Sequence, residues 1–268
     1  MTTNRTTIDA MARRVSLTLG LVFTSLFVSG PASTAEINVL AAGAVQSTVV
    51  QLADSFKQQT GHEIKFTFGT VGALVAKIEA GERADAVILT PAAIDRLIGA
   101  GTVRAGTRID VGQVGMGVAV RAGAPQPDIS TPDAFKRAVV SARTISYGDP
   151  AKGASSGIYF AKLLERLGLA DSVKTKSALF PLGALAMESV AKGENEIGVG
   201  QVSEIMAAKG VILVGQLPGD LNNKTVYAAG LVDKTPAPEA TQAFLRTLVD
   251  PAGQAKFALA GFEPAPRP

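Results

Sequence analysis

From Ile37 onward, short apolar runs alternate with segments whose apolar residues recur at helical spacing, and small-residue turns separate the two. No other feature of the sequence constrains the fold as strongly. Ile37–Ala42 is an apolar run ending at Gly43, after which Val50, Leu52, Ala53 and Phe56 recur at helical period until Gly61. Glu63–Phe68 then alternates strictly, as a half-buried strand does. Gly69–Gly72 turns into a helix through Leu74, Val75 and Ile78. Ala84–Leu89 is a third strand, and Thr90-Pro91 starts the next helix with proline in its first turn. A β-α-β-α-β-α order predicts a parallel sheet with helices on its faces.

The second half repeats the alternation. Strands are expected at Gly115–Val120, Thr144–Tyr147, Lys176–Phe180, Glu196–Gly200, Val211–Val214 and Thr225–Leu231. Helices are expected after Ser130-Thr131-Pro132-Asp133 and over Ile158–Leu167, Ala184–Ala191, Pro238–Leu248 and Pro251–Ala260. That number of elements implies two α/β lobes. With 47% hydrophobic and 18% charged residues, the chain has enough apolar material to give each lobe a core.

Composition excludes several chemistries. The chain has no cysteine, which removes disulfides, thiolate metal sites and cysteine nucleophiles. His62 is the single histidine, so no multi-histidine metal site is possible; it follows Gly61 at a turn and is expected on the surface. The formal net charge is +3, and Arg5, Arg13 and Arg14 against Asp9 account for two of those charges within the first 35 residues. The remainder is close to neutral, which gives no footprint for nucleic acid.

Residues 1–35 read as a secretory signal. Arg13-Arg14 precedes the apolar stretch Val15–Val28, Gly30-Pro31 breaks it, and Ser33-Thr34-Ala35 offers small residues for cleavage before Glu36. Met11 is an alternative start. The expected mature protein is periplasmic.

In open α/β sheets ligands sit beyond the carboxyl ends of strands, where helix N-termini present free N–H groups. Three turns fit: Ala42-Gly43-Ala44, Gly69-Thr70-Val71-Gly72, and Gly148–Gly157, the last carrying Lys152, Ser155 and Ser156 before a helix. None matches a nucleotide-binding fingerprint.

At these turns the chain resembles a known family. Val39–Ala42, Leu74–Gly81 followed by Ala84-Asp85, Gly148-Asp149-Pro150 followed by Gly157-Ile158-Tyr159, and Ile197–Val199 are similar to periplasmic molybdate-binding proteins, over about Ile37 to Phe262. The resemblance implies a type 2 periplasmic binding protein fold: two lobes, a ligand cleft between them and two hinge crossovers. Lobe one would be 36–117 with 227–268, lobe two 118–226, with Gly115–Gly117 and Ala228–Gly230 as hinges. It also implies a small anionic ligand, an ABC permease in the inner membrane as partner, no cofactor, and a monomer.

The family's oxyanion site is altered here. Its first-loop serine falls on Ala44, its second on Val71 between Thr70 and Gly72, its cleft tyrosine on Gln201, and a backbone donor on Ser156. With Gly43, Ser155 and Gly183 these are the expected ligand-binding positions. Fewer hydroxyls, with Lys152, Gln201 and Glu204 nearby, suit an organic polycarboxylate better than a tetrahedral oxyanion. The patterns Ala41–Val45, Gly69–Leu74 and Asp149–Gly153 are more similar to a branch that includes secreted aconitate isomerases. For such an isomerase, which needs a base to move an allylic proton, the candidates are Glu204, Lys152, Tyr159 and Asp149. Uptake of an anion, isomerisation of aconitate and presentation of a bound anion to a membrane receptor remain three readings of one cleft.

Overall fold

The computed structural model describes residues 34–266, so most of the expected signal segment lies outside the described residues. The elements run in the order β1 (Glu36–Ala42), α1 (Gln46–Thr60), β2 (Glu63–Gly69), α2 (Val71–Glu79), β3 (Ala86–Leu89), α3 (Pro91–Gly99), β4 (Ile109–Val114) and β5 (Met116–Arg121). There follow α4 (Pro132–Ser141), β6 (Ile145–Gly148), α5 (Ser155–Arg166), α6 (Ala170–Lys174), β7 (Ser177–Phe180), α7 (Gly183–Ala191), β8 (Ile197–Gln201) and α8 (Val202–Ala207). The chain closes with β9 (Val211–Gln216), β10 (Thr225–Leu231), α9 (Pro238–Thr247), α10 (Pro251–Leu259) and β11 (Phe262–Glu263).

These strands form two sheets, and the fold is the two-lobe α/β architecture. One sheet has the order β11-β4-β10-β3-β1-β2, the other β7-β6-β8-β5-β9. Strands β1, β2 and β3 are parallel, as the alternation predicts, whereas β10 runs antiparallel to its neighbours β3 and β4, and β11 antiparallel to β4, which makes the sheet mixed. The second sheet is likewise parallel across β7-β6-β8 and antiparallel at β5.

Both faces of the first sheet are covered, which explains why β1 is apolar at consecutive positions. Ile37, Val39 and Ala41 point into a core shared with Val49, Phe56, Phe244 and Phe257, while Leu40 joins Leu74, Val87, Leu89 and Leu97 on the other face. In the second sheet Met116, Val118 and Val120 pack with Phe135, Phe160 and Leu163, while Ala119 faces Ala186, Met187 and Ile205.

Asp85 ties the first lobe together from inside. Its buried carboxylate accepts from the Asn38 backbone N–H at 2.7 Å and from the Thr235 hydroxyl at 2.6 Å. Asp85→Ala leaves both donors without a partner and should cost about 3 kcal/mol, read as a lowered urea midpoint with an unchanged slope.

The chain passes between the sheets twice: at Gly115, between β4 and β5, and over 217–224, between β9 and β10. Asn222 joins the two passages, accepting from the Met116 N–H at 2.9 Å and donating to Gln216 at 2.7 Å. The second passage therefore precedes the Ala228–Gly230 hinge expected from the resemblance. Those residues are interior to β10, paired with β3.

Candidate functional site

Register brings the expected turns level with one another. Ala42 pairs with Gly69, so the turns after β1 and β2 emerge side by side. In the other sheet Gly148 pairs with Phe180, which aligns the turns after β6 and β7, and Gln201 ends β8 opposite Met116. Each turn leads into a helix: those after β2, β7 and β8 into α2, α7 and α8, and those after β1 and β6 into α1 and α5 by way of 3-10 turns at Gly43–Val45 and Pro150–Lys152. Several helix N-termini thus face one small cavity between the lobes, of about 30 Å³, room for roughly one or two waters.

Gly43, Ala44, Thr70, Val71, Ser155 and Ser156 line that cavity, as do Gly183, Gln201 and Glu204. Gly72 stands at its rim. Lys152 and Tyr159, both expected in the cleft, line no part of it. The Lys152 side chain is exposed, and only its backbone carbonyl reaches the cleft, accepting from the Thr70 hydroxyl. Tyr159 packs in the second lobe, and its hydroxyl donates to the Leu221 carbonyl at 3.1 Å. Asp149 caps its own turn by accepting from the Ala151 N–H at 2.9 Å. His62 is half-buried rather than exposed; it accepts from the Ala35 N–H at 3.0 Å and stacks on Phe56, remote from the cavity.

Two contacts hold the rim closed. Thr70 caps α2 by accepting from the Ala73 N–H at 3.2 Å, and it donates across the cleft to Lys152. Beside it the Gly72 N–H donates to the Gly153 carbonyl at 3.3 Å. Gly153 has φ +72°, and a Cβ there would lie 2.6 Å from the Gly72 Cα. Left-handed backbone and this close approach together require glycine.

Tyr227 also lines the cavity, and the sequence reading did not find it. It reaches in from β10. Gln201 donates to its phenol at 3.4 Å and to the Thr225 hydroxyl at 3.1 Å, and Ser155 also hydrogen-bonds the phenol. The phenol expected at position 201 is thus supplied from the opposite lobe. Burial, and next the nearby Glu204 carboxylate, hold its pKa well above the ordinary tyrosine value, so it remains a donor. The one available signal was a lone phenol followed by Ala-Ala-Gly in a largely apolar strand.

Glu204 is the only carboxylate among the residues lining the cavity, and no lysine or arginine lines it. It sits in the first turn of α8 and packs against the start of α7, where a Cβ on Gly183 would come within 2.6 Å of its carboxyl carbon. Burial pushes its pKa from 4.5 up to about 7, against a lowering by the Gln201 backbone N–H. The Gln201 Oε1 atom is buried without a hydrogen-bond partner among the described residues. A neutral donor shell therefore surrounds a carboxylate that exchanges its proton near neutrality. Such a shell can hold an anion by oriented N–H and O–H groups and also accept a proton from it.

The family model described as bacterial extracellular solute-binding protein matches residues 37–263, and the chain belongs to that family. It is 32% identical over 266 residues to an aconitate isomerase from Pseudomonas sp, covering 95% of this chain and 98% of that protein. It is 27% identical over 206 residues to the molybdate-binding protein ModA of Escherichia coli (strain K12), covering 74% and 77%. Among solved structures, the periplasmic molybdate-binding protein of Azotobacter vinelandii superposes with a TM-score of 0.72 at 21% identity, covering 86% of this chain and 100% of that one.

Proposed function

We propose that this solute-binding protein holds a small unsaturated polycarboxylate in its cleft, the side chains that fill the 30 Å³ cavity moving aside to admit it, and isomerises it, interconverting cis- and trans-aconitate outside the inner membrane. The observation that carries the reading is Glu204: a carboxylate with no cationic residue beside it in the cavity lining, its pKa raised by burial to about 7, set among otherwise neutral donors. A site evolved only to capture an anion gains nothing from a negative group at its wall.

In this mechanism the Glu204 carboxylate takes a proton from the methylene carbon of aconitate. The released electron pair delocalises through the double bond into the conjugated carboxylate. Glu204 then gives a proton to the former vinylic carbon, and the double bond has moved by one carbon, to the bond the methylene carbon now shares with the central carbon. No electrons are lost, and the geometry of the product depends on how the chain is rotated when the new double bond forms. The N–H groups at the starts of α2, α5 and α7, with the Ser155, Ser156 and Tyr227 hydroxyls, hold the carboxylate that gains charge. The similarity to the Pseudomonas sp isomerase along nearly the whole of both chains supports this assignment.

The test is a proton NMR time course of the protein with trans-aconitate. Formation of cis-aconitate, lost on heat denaturation, is expected; a protein that binds aconitate without converting it overturns the reading. Tyr227→Phe should retain binding and lower kcat by about 10²-fold, the usual effect of removing one donor to a developing oxyanion.

A second reading, capture of a tetrahedral oxyanion for delivery to a permease, is favoured by the neutral donor set and by the ModA likeness. It predicts a molybdate-specific rise in melting temperature and no turnover of aconitate.

A further inference from the structure

Glu204 and Gly43 are shared between the closed cavity and a second, wider pocket of about 380 Å³. That outer pocket is bounded by Ser47 on α1, by Ala184 and Glu188 on α7, and by Ser203 and Ala207 on α8. Ala184, Glu188 and Ala207 are exposed, so the pocket meets solvent. Within it the Ser203 hydroxyl is buried and has no hydrogen-bond partner among the described residues. Glu204 is therefore common to a cavity sealed by the Thr70 and Gly72 contacts and a pocket open to water, and its carboxylate lies against Gly43, which lines both: a Cβ there would come within 3.2 Å of the Glu204 Oε1.

We infer that the outer pocket is a proton-exchange route: Glu204 takes a proton from ligand in the cavity, releases it to water in the outer pocket, and is reloaded from there. The inference rests on the isomerase reading and adds to it the fate of the proton. A carboxylic acid holds a single proton, and in a site closed to water it returns that same proton to the ligand. Access from a second side breaks this link without opening the cleft.

The test follows trans-aconitate deuterated at both methylene positions through a single turnover in ordinary water, by mass spectrometry. Removal of one deuteron leaves the other on the new vinylic carbon, so the returned atom decides the product mass. Product carrying one deuterium is expected, and product that keeps both overturns the exchange route while leaving the isomerase reading intact. Absence of any turnover removes that reading and this inference with it. Ala207→Phe places a ring in the outer pocket away from the cavity wall. It should raise the doubly labelled fraction severalfold with binding unchanged; an unaltered label pattern in this variant shows that the proton leaves by another path and also overturns the inference.

Discussion

Glu204→Gln should lower kcat for aconitate isomerisation by about 10²–10⁴-fold, the range for loss of a positioned general base, while tightening anion binding and stabilising the fold. All three effects follow from one buried carboxylate. The base must be ionised to accept a proton, so wild-type kcat/KM should rise with pH and level off above about 7. Anion binding should run the other way and strengthen as Glu204 is protonated. The glutamine variant should show neither dependence. For stability, the carboxyl ionises at 4.5 in an unfolded chain and at about 7 in the fold. Between those values the native state binds more protons, so stability declines as pH rises from 4.5 to 7. Above 7 the penalty totals about 3 kcal/mol. Glu204→Gln should therefore match wild type near pH 4 and exceed it at pH 8, measured by urea midpoints at both. A stabilisation independent of pH would remove Glu204 as the titrating group.

The elements that the sequence exposed most clearly are those whose burial leaves no choice of pattern. β1, β3 and β5 lie between helical layers, and their apolar runs are close to continuous for that reason. Helices α3 and α4 announce themselves by Thr-Pro at the cap and first turn. The cleft was legible because parallel strands deliver their carboxyl-terminal turns to one edge, and those turns are short and small here. β4 was not legible. Asp110, Gly112 and Gln113 interrupt its apolar pattern, yet it pairs on both sides, with β10 and β11. The family resemblance placed a hinge at the Ala228–Gly230 run, whose residues are small. Their size answers to packing instead: a Cβ on Gly230 would come within 2.8 Å of Val103.

Two of the three base candidates that fell outside the cavity share a cause. Lys152 and Tyr159 flank the right loop, but sequence distance does not give side-chain direction. The 3-10 turn at Pro150–Lys152 leaves the lysine in solvent, and α5 carries Tyr159 onto the inner face of its own lobe. Tyr227 escaped for the converse reason. Its place beside Gln201 depends on β10 returning antiparallel between β3 and β4, a pairing that no local pattern encodes.

Gly72→Ala should weaken anion binding by about 10- to 100-fold, equivalent to roughly 1.4–2.8 kcal/mol, with no loss of stability. Gly72 lies in the first turn of α2, where alanine is the better helix former by about 1 kcal/mol. The three nearest atoms that such a Cβ would meet beyond its own helix all belong to Gly153 across the cleft, the closest at 2.9 Å. The cost therefore falls on the closed state alone. Ligand-induced contraction, followed by small-angle scattering, should shrink together with affinity, while the melting temperature of the free protein holds or rises. Gly153→Ala is the harsher partner, because φ +72° adds backbone strain to the same collision and stability should fall as well. Thr70→Val separates the two rim contacts. It removes the hydroxyl that bonds Lys152 and caps α2 without adding bulk at the glycine pair. Unchanged affinity in Gly72→Ala would mean that the cleft binds its ligand without bringing α2 and the Gly153 turn together. Glu204 and Tyr227 would then have to act in a cleft open to water, where a neutral donor shell competes poorly for a polyanion.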